Sequence, residues 1–296
     1  MPAADSVGAA ATPPPVVGAG ACDGTSAGVI AGQTAIRNLT SAGKERQFRV
    51  HLPAKTDTGA AMPVVLNFHG YGSNALEQET YSGLVPLSDR EGFLLVSPDG
   101  TGSPRGWASF SLIPTGTDDV RFVDDLIVEL GRSFCIDTQR IYATGLSNGA
   151  FMSSRLGCVL SDRIAAIAPV AGVYNPVEHC GRPMPVLAFH GTADSVVPFD
   201  GGLMLRMVPY GGARRGISGW AEANGCSEAI EVVRLTDHVT RETHSSCTSP
   251  ADLIVVDGGG HTWPGAFDVP ALGPVTKEIS AAELIWTFFA QFSLGR

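Results

Sequence analysis

The segment "RIYATGLSNGAFMSSRL", residues 140–156, places a Gly-x-Ser-x-Gly pentapeptide between two contrasting patterns. The run "RIYA" before it is typical of a short buried β-strand. After it, apolar residues from Met152 to Leu160 recur at helical spacing. The two glycines of the pentapeptide leave room for a sharp turn, with Ser147 at its apex. The pattern therefore predicts a strand, a tight turn and a helix that present the Ser147 hydroxyl.

The pentapeptide alone is weak evidence, because a chain of 296 residues with 36 glycines is expected to contain one fairly often. A second copy exists at residues 24–28, centred on Ser26. No apolar strand precedes that copy, which follows an Ala/Pro/Gly-rich stretch. The sequence context therefore selects Ser147 and not Ser26.

The same strand pattern recurs along the chain. Further apolar runs that end in Gly, Pro or Asp are "PVVLNFHG" at 63–70, "FLLVSPDG" at 93–100, "IAAIAPVAG" at 164–172, "PVLAFHG" at 185–191 and "DLIVVDGGGH" at 252–261. Helical patterns fall between or after them, most clearly in "DDVRFVDDLIVELGRSF" and in "SAAELIWTFFAQF", with Ser280 as its cap. The alternating segment 46–53 predicts an antiparallel N-terminal edge. Together these patterns predict an α/β fold with a mostly parallel central sheet flanked by helices.

Composition excludes several classes of protein. The net charge of −9, without any Lys/Arg run, argues against nucleic-acid and membrane partners. No apolar stretch approaches the length of a membrane-spanning helix. We expect residues 1–21 to be a flexible leader that is not a signal peptide as it stands, followed by one domain over 22–296.

The six cysteines form no Cys-x-x-Cys pair and have no zinc-like spacing with histidine. Their even number in a loop-rich chain favours disulfides and an oxidising compartment, with six reduced core thiols as the alternative. Cys226 and Cys247 flank what reads as a single strand, which makes them the first predicted pair. Cys158–Cys180 is the second pair, and Cys22–Cys135 follows by elimination.

A serine hydroxyl needs a base and an orienting carboxylate before it can attack a carbonyl carbon. Asp194 follows the strand "PVLAFHG", and His261 follows the last strand, so both come after Ser147 in the required order of nucleophile, acid and histidine. Asp200 and Asp257 remain less favoured candidates for the acid. These residues predict a catalytic triad of Ser147, Asp194 and His261.

Backbone N–H groups near Ser147 are the predicted oxyanion donors. Asn148 begins the helix behind the serine, and Tyr71 follows the His-Gly turn after a buried strand, with Gly72 beside it. We interpret His69 and His190, each in an "FHG" strand end, as packed turn residues. The aspartates at 118–125 fit helix capping better than metal binding, so no metal site and no cofactor are predicted.

Six ordered motifs over about residues 40–292 resemble the secreted α/β-hydrolases grouped as polyhydroxybutyrate depolymerase-type, feruloyl and acetylxylan esterases. The motifs are "FHGYGSN", "GWASF", "DDVRFVDDLI", "IYATGLSNGAFMSSRLGC", "FHGTADSVVPFDGG" and "GGGHTWPG". The resemblance implies the α/β-hydrolase fold and the same triad. It also implies aromatic substrate contacts at Trp107 and Trp263, with packing under the histidine loop as the alternative for Trp263. Arg121 and Tyr71 depart from the family pattern near the site, which affects the expected substrate preference.

The resemblance predicts a secreted, extracellular serine carboxylic ester hydrolase that works through an acyl-enzyme. Its expected partner is an ester substrate. A hydroxycinnamoyl or acetyl ester of a plant polysaccharide, or a soluble hydroxyalkanoate oligomer, is favoured over a polyester granule, because the sequence shows no separate polymer-binding module. The alternatives are a lipase, thioesterase or peptidase on the same fold, and a noncatalytic carbohydrate- or polymer-binding protein.

Overall fold

The structure is a computed structural model that describes residue 22 and residues 28–55, 60–109, 117–176, 180–204 and 207–295. The predicted leader over 1–21 and the second serine motif around Ser26 lie outside the described residues. Ten strands form one mixed sheet, and two short strands form a separate hairpin.

The strands of the sheet and hairpin are, in chain order, β1 (Gln33–Ser41), β2 (Lys44–Leu52), β3 (Met62–Phe68), β4 (Leu94–Pro98), β5 (Ile136–Leu146), β6 (Ala166–Val170), β7 (Val186–Gly191), β8 (Gly202–Met204), β9 (Val208–Tyr210), β10 (Ile230–Arg234), β11 (Val239–His244) and β12 (Ala251–Val256). The order in the large sheet is β1-β2-β4-β3-β5-β6-β7-β12-β11-β10. From β4 to β12 the neighbours are parallel, whereas both edges of the sheet are antiparallel. The predicted antiparallel N-terminal edge is thus confirmed, and the sheet has a second one at its other side.

The helices are α1 (Ala75–Ser82), α2 (Leu84–Glu91), α3 (Asp119–Ser133), α4 (Asn148–Val159), α5 (Ala213–Ala223) and α6 (Ala281–Phe289). The two strongest helical patterns correspond to α3 and α6. Asp118 caps α3 by accepting the Arg121 N–H at 3.0 Å, and Ser280 caps α6 as predicted. None of the helices in the described part of the chain is long and apolar enough to cross a membrane.

Buried side chains cover both faces of the central strands. On β3, Val64, Leu66 and Phe68 belong to one apolar cluster, whereas Val65 between them belongs to the cluster on the opposite face. All four side chains are at most 1% exposed. A strand that is covered on both faces has no solvated side, which explains the continuous apolar runs in the sequence.

The structure contains the three predicted disulfides: Cys22–Cys135, Cys158–Cys180 and Cys226–Cys247. One part of the reasoning for the last pair was wrong. Two strands, β10 and β11, lie between Cys226 and Cys247 and form a hairpin, not a single strand. All five residues of β10 are exposed, because this strand forms an edge of the sheet.

Candidate active site

Ser147 stands at the turn between β5 and α4. Its backbone has φ 58° and ψ −116°, a conformation that a residue with a side chain rarely adopts. The Ser147 N–H donates to the Val170 carbonyl on the neighbouring strand at 2.9 Å, which holds the turn in place. A backbone strained in this way has a free energy about 1–3 kcal/mol above an ordinary one. It persists only where many surrounding contacts hold it in that conformation.

The glycines on either side of the turn are required by close backbone contacts. A Cβ atom on Gly145 would lie 2.5 Å from the carbonyl oxygen of Phe68 and 2.7 Å from the carbonyl carbon of Gly149. A Cβ atom on Gly149 would overlap the same Phe68 carbonyl. Backbone atoms cannot move aside as a flexible side chain can, so both positions admit only glycine in this geometry.

Asp194 and His261 are in direct contact at the ends of β7 and β12. The His261 Nδ1–H donates to Asp194 Oδ2 at 2.7 Å, and the backbone N–H groups of Val196 and Val197 donate to Asp194 Oδ1 at 2.9 and 2.8 Å. Both side chains are buried. Of the alternative acids, Asp200 is exposed, and Asp257 accepts a hydrogen bond from Thr192 on the surface.

The environment of Asp194 favours its ionised form. Burial alone would raise the pKa of this carboxyl group, but hydrogen bonds from His190 and His261 outweigh that effect and hold the pKa well below its usual range. A permanently charged carboxylate against Nδ1 fixes the His261 tautomer with its Nε2 lone pair directed away from Asp194.

Ser147 and His261 open into the same cavity of about 740 Å³. Asn148 and Tyr71 also line it, and most of the wall is apolar, formed by Leu76, Tyr81, Leu146, Phe151, Val196, Val197, Met204, Val208, Phe267, Val269 and Leu272. The structure therefore brings the predicted serine and histidine to one pocket, with Asp194 buried behind the histidine.

The two predicted oxyanion donors lie at the cavity wall. Asn148 is the first residue of α4, where a backbone N–H has no acceptor within its own helix. Tyr71 follows the turn after β3 and is 43% exposed. The neighbouring Gly72 N–H is already donated to the Arg105 carbonyl at 2.7 Å. The geometry thus favours Tyr71 over Gly72 as the second donor.

The expectation that Trp107 and Trp263 contact substrate does not agree with their positions. They are 0% and 1% exposed, and neither belongs to the cavity wall. The Trp107 indole N–H donates to the His69 carbonyl at 3.0 Å, and its ring packs edge-on against Phe68. The packing alternative given for Trp263 therefore fits that residue, and Trp107 is packed in the same way, because both rings are buried.

The side chain of Asn148 holds the backbone of Trp107. Asn148 Oδ1 accepts the Trp107 N–H at 2.6 Å, and Asn148 Nδ2 donates to the Trp107 carbonyl at 3.2 Å and to Ser109 Oγ at 2.9 Å. No sequence pattern indicates this role, because Asn148 and Trp107 lie 41 residues apart. Asn148 thereby joins α4, the helix after Ser147, to residues 107–109, which form the Trp107 loop.

His69 occupies the packed turn that its sequence pattern predicts. Its Nε2 accepts the Gly100 N–H at 2.9 Å, so the ring proton is on Nδ1 and is directed at the Gly70 carbonyl, 2.7 Å away. Burial lowers the pKa of this imidazole. With both nitrogens engaged, His69 has no free atom to act as a second base.

Much of the cavity wall was not predicted from the sequence. The helix α1, the β8–β9 hairpin and Phe267 all contribute to it. The ring of Phe267 is 54% exposed and packs edge-on against Tyr81 at 5.2 Å. An isolated aromatic residue in a loop carries no periodicity, so only its position after the "GGGHTWPG" motif could have drawn attention to it.

A serine at a strained strand–helix turn, on a mostly parallel sheet and facing a cavity shared with a buried Asp–His pair, defines an α/β-hydrolase. No family model matches the chain. A putative esterase, NocK, of Nocardia uniformis subsp. tsuyamanensis is 30% identical over 282 residues, which cover 84% of this chain and 80% of that protein. The chain belongs to the α/β-hydrolase family of feruloyl and acetylxylan esterases, whose members are carboxylic ester hydrolases.

Other comparisons agree with this placement. Feruloyl esterase B of Piromyces equi is 32% identical over 234 residues, 73% of this chain, although the match spans only 42% of that longer protein. Feruloyl esterase D of Neurospora crassa is 28% identical over 277 residues, covering 88% of this chain and 87% of that protein. The solved acetyl xylan esterase of Aspergillus awamori superposes with a TM-score of 0.65 at 16% identity, over 86% of this chain and 99% of that one, which supports the fold.

Proposed function

We propose that this protein is a serine carboxylesterase in which Ser147 is the nucleophile, His261 the general base and Asp194 the orienting carboxylate. One observation carries the proposal: the His261–Asp194 contact of 2.7 Å is buried directly behind the cavity that the strained Ser147 turn faces. This is the arrangement that converts a weak hydroxyl acid into a nucleophile.

The reaction proceeds in two halves. Ser147 Oγ bonds to the ester carbonyl carbon while His261 Nε2 takes its proton, and the carbonyl oxygen becomes an oxyanion facing the N–H groups of Asn148 and Tyr71. His261 then gives the proton to the leaving alcohol oxygen as the C–O bond breaks. Water attacks the acyl-enzyme in the same way, which releases the carboxylic acid and restores the Ser147 hydroxyl.

The experiment compares turnover of p-nitrophenyl acetate and p-nitrophenyl butyrate by the wild type, Ser147→Ala and Ser227→Ala. Removing a triad nucleophile costs about 10⁴-fold or more in kcat. Ser227 lies on the exposed segment before β10 and serves as the matched control, with an unchanged rate. Labelling by a fluorophosphonate probe should be lost in Ser147→Ala alone. Undiminished turnover in that variant would contradict the proposal.

The apolar cavity supports an ester whose acyl group is bulky, and a hydroxycinnamoyl ester of a plant polysaccharide fits that requirement better than an acetyl ester. A volume of about 740 Å³ exceeds what an acetyl group needs, and the aromatic residues Phe151 and Phe267 are among those that line it. The test compares methyl ferulate with methyl acetate, which share a leaving group. Burying an aromatic ring is worth about 1.5–3 kcal/mol, so the KM for the ferulate should be at least tenfold lower. A lower KM for the acetate would exclude this acyl preference.

We further propose that the protein works outside the cell. The three disulfides support an oxidising compartment, since such bonds are rare in reducing cytosol. Mass spectrometry of material exported under non-reducing conditions should find all six cysteines paired. Six free thiols in active material would contradict the proposal.

A further inference from the structure

A second histidine contacts the carboxylate of Asp194. His190, in β7, places its Nε2 atom 2.9 Å from the carbonyl oxygen of Val197 and 3.4 Å from Asp194 Oδ2. The side chains of His190 and Asp194 are both completely buried. Asp194 Oδ2 therefore lies between two imidazole rings, with His261 Nδ1 on the other side at 2.7 Å.

The two oxygen neighbours determine which nitrogen of His190 carries the proton. A carbonyl oxygen and a carboxylate oxygen can only accept hydrogen bonds, so a lone pair on Nε2 would face repulsion from both. The proton is therefore on Nε2, and it is shared between Val197 and Asp194. His190 Nδ1 has no hydrogen-bond partner among the described residues, which leaves Nε2 as the side of the ring that is engaged.

Few other titratable groups face this carboxylate. Besides His190 on β7 and His261 after β12, the phenol of Tyr210 on β9 is close, and its ring stacks on His190 with centroids 6.2 Å apart. The Tyr210 hydroxyl donates to the Val173 carbonyl at 2.9 Å and not to Asp194. Burial raises the pKa of Tyr210, so this phenol stays neutral. His190 is therefore the one side chain other than His261 that donates to Asp194 within the described residues.

We propose that His190 is a positioning residue that fixes Asp194 Oδ2 towards His261 and draws part of its negative charge away from the His261 ring. The inference rests on the proposed function, since it assigns His190 a role through the Asp194–His261 pair. A donor on the same oxygen competes for its lone pairs, so it weakens the stabilisation that Asp194 gives to a protonated His261. His190 thus helps His261 to remain an unprotonated base as the pH falls.

The test uses two amide variants of similar size. In His190→Gln the amide nitrogen reaches the place of Nε2 and keeps the donor, whereas the shorter side chain in His190→Asn ends near the place of Nδ1. The readout is the midpoint of the acid limb of kcat/KM against pH. The 3.4 Å contact is longer than a full charge-assisted hydrogen bond, so it should shift this midpoint by only about half a pH unit.

We expect the midpoint to rise by about half a unit in His190→Asn, which is about a threefold loss of kcat/KM below it, and to stay near the wild-type value in His190→Gln. His238→Gln is the control, because His238 is on the surface, paired with Glu278. A purely structural role would lower kcat/KM equally at every pH. An unmoved or lowered midpoint in His190→Asn would overturn the proposal.

Two further measurements separate the possible failures. Asp194→Asn is assayed in parallel. Full activity in that variant would contradict the proposed triad. Strong impairment of Asp194→Asn together with an unmoved midpoint in His190→Asn would contradict only the role of His190. ¹⁵N NMR of the wild-type histidines needs no variant to fold. The spectrum should show His190 protonated on Nε2 and unprotonated on Nδ1. A proton on Nδ1 alone would overturn the inference.

Discussion

Replacing Asn148 by alanine separates the side chain of this residue from its backbone. The substitution removes all three hydrogen bonds to the Trp107 loop but keeps the N–H group at the start of α4. Trp107 is 0% exposed, so its N–H and carbonyl lose their partners in a place that water does not reach. Each orphaned buried group costs about 1–3 kcal/mol, which gives a loss of about 3 kcal/mol in the free energy of unfolding.

The assay is urea denaturation, followed by thermal unfolding. For a chain of this size, about 3 kcal/mol corresponds to a fall in Tm of roughly 6–12 °C. Asn38→Ala is the matched control, because Asn38 is an exposed residue of β1 whose side chain accepts a hydrogen bond only at 3.4 Å. This control should stay within about 0.5 kcal/mol of the wild type.

The catalytic rate gives a second readout of the same variant. Because the proposed oxyanion donor is a backbone group, Asn148→Ala should lose far less of kcat than Ser147→Ala when it is assayed well below its lowered Tm. A stability change under about 1 kcal/mol would refute the argument that Asn148 fastens the Trp107 loop.

Four other variants test different parts of the structure. Trp263→Phe should leave KM unchanged because the ring is outside the cavity wall, whereas Phe267→Ala should raise the KM for methyl ferulate about twofold to tenfold through loss of an aromatic contact. Replacing Cys226 and Cys247 together by serine should cost about 3 kcal/mol in urea denaturation, because the bond closes a loop of separation 21. The pKa of Asp194 is lowered on folding, so its contribution is present above its unfolded pKa of about 3.9 and is lost as the pH falls below it. Tm should therefore drop less between pH 5 and pH 3 in Asp194→Asn than in the wild type.

The central sheet could be predicted because its strands have a simple signature. Six apolar runs that end in small or turn-forming residues correspond to β3, β4, β5, β6, β7 and β12, and these are the parallel strands buried on both faces. Chain order then placed Asp194 and His261 at strand ends on the same edge of the sheet as Ser147. The contact between the aspartate and the histidine agrees with that placement.

Elements that depend on long-range contacts could not be predicted in this way. The helices α1 and α2 are only eight residues long, and their apolar positions are too few to form a clear stripe. The segment between Cys226 and Cys247 reads as a single strand, yet it forms the hairpin of β10 and β11 at the edge of the sheet. Trp263 illustrates the same limit, since its place in a loop reads equally well as a substrate contact or as packing under the histidine loop.

The bonds that join His69, Trp107 and Asn148 also bear on when the protein becomes active. They link residues that are 38 and 41 positions apart, so none of them can form within an isolated helix or hairpin. Closing such loops comes after local structure has formed. In refolding, ester hydrolysis should therefore return later than helical circular dichroism. Until these contacts form, α4 is not joined to the backbone of Trp107, and the wall of the cavity beside Ser147 is incomplete.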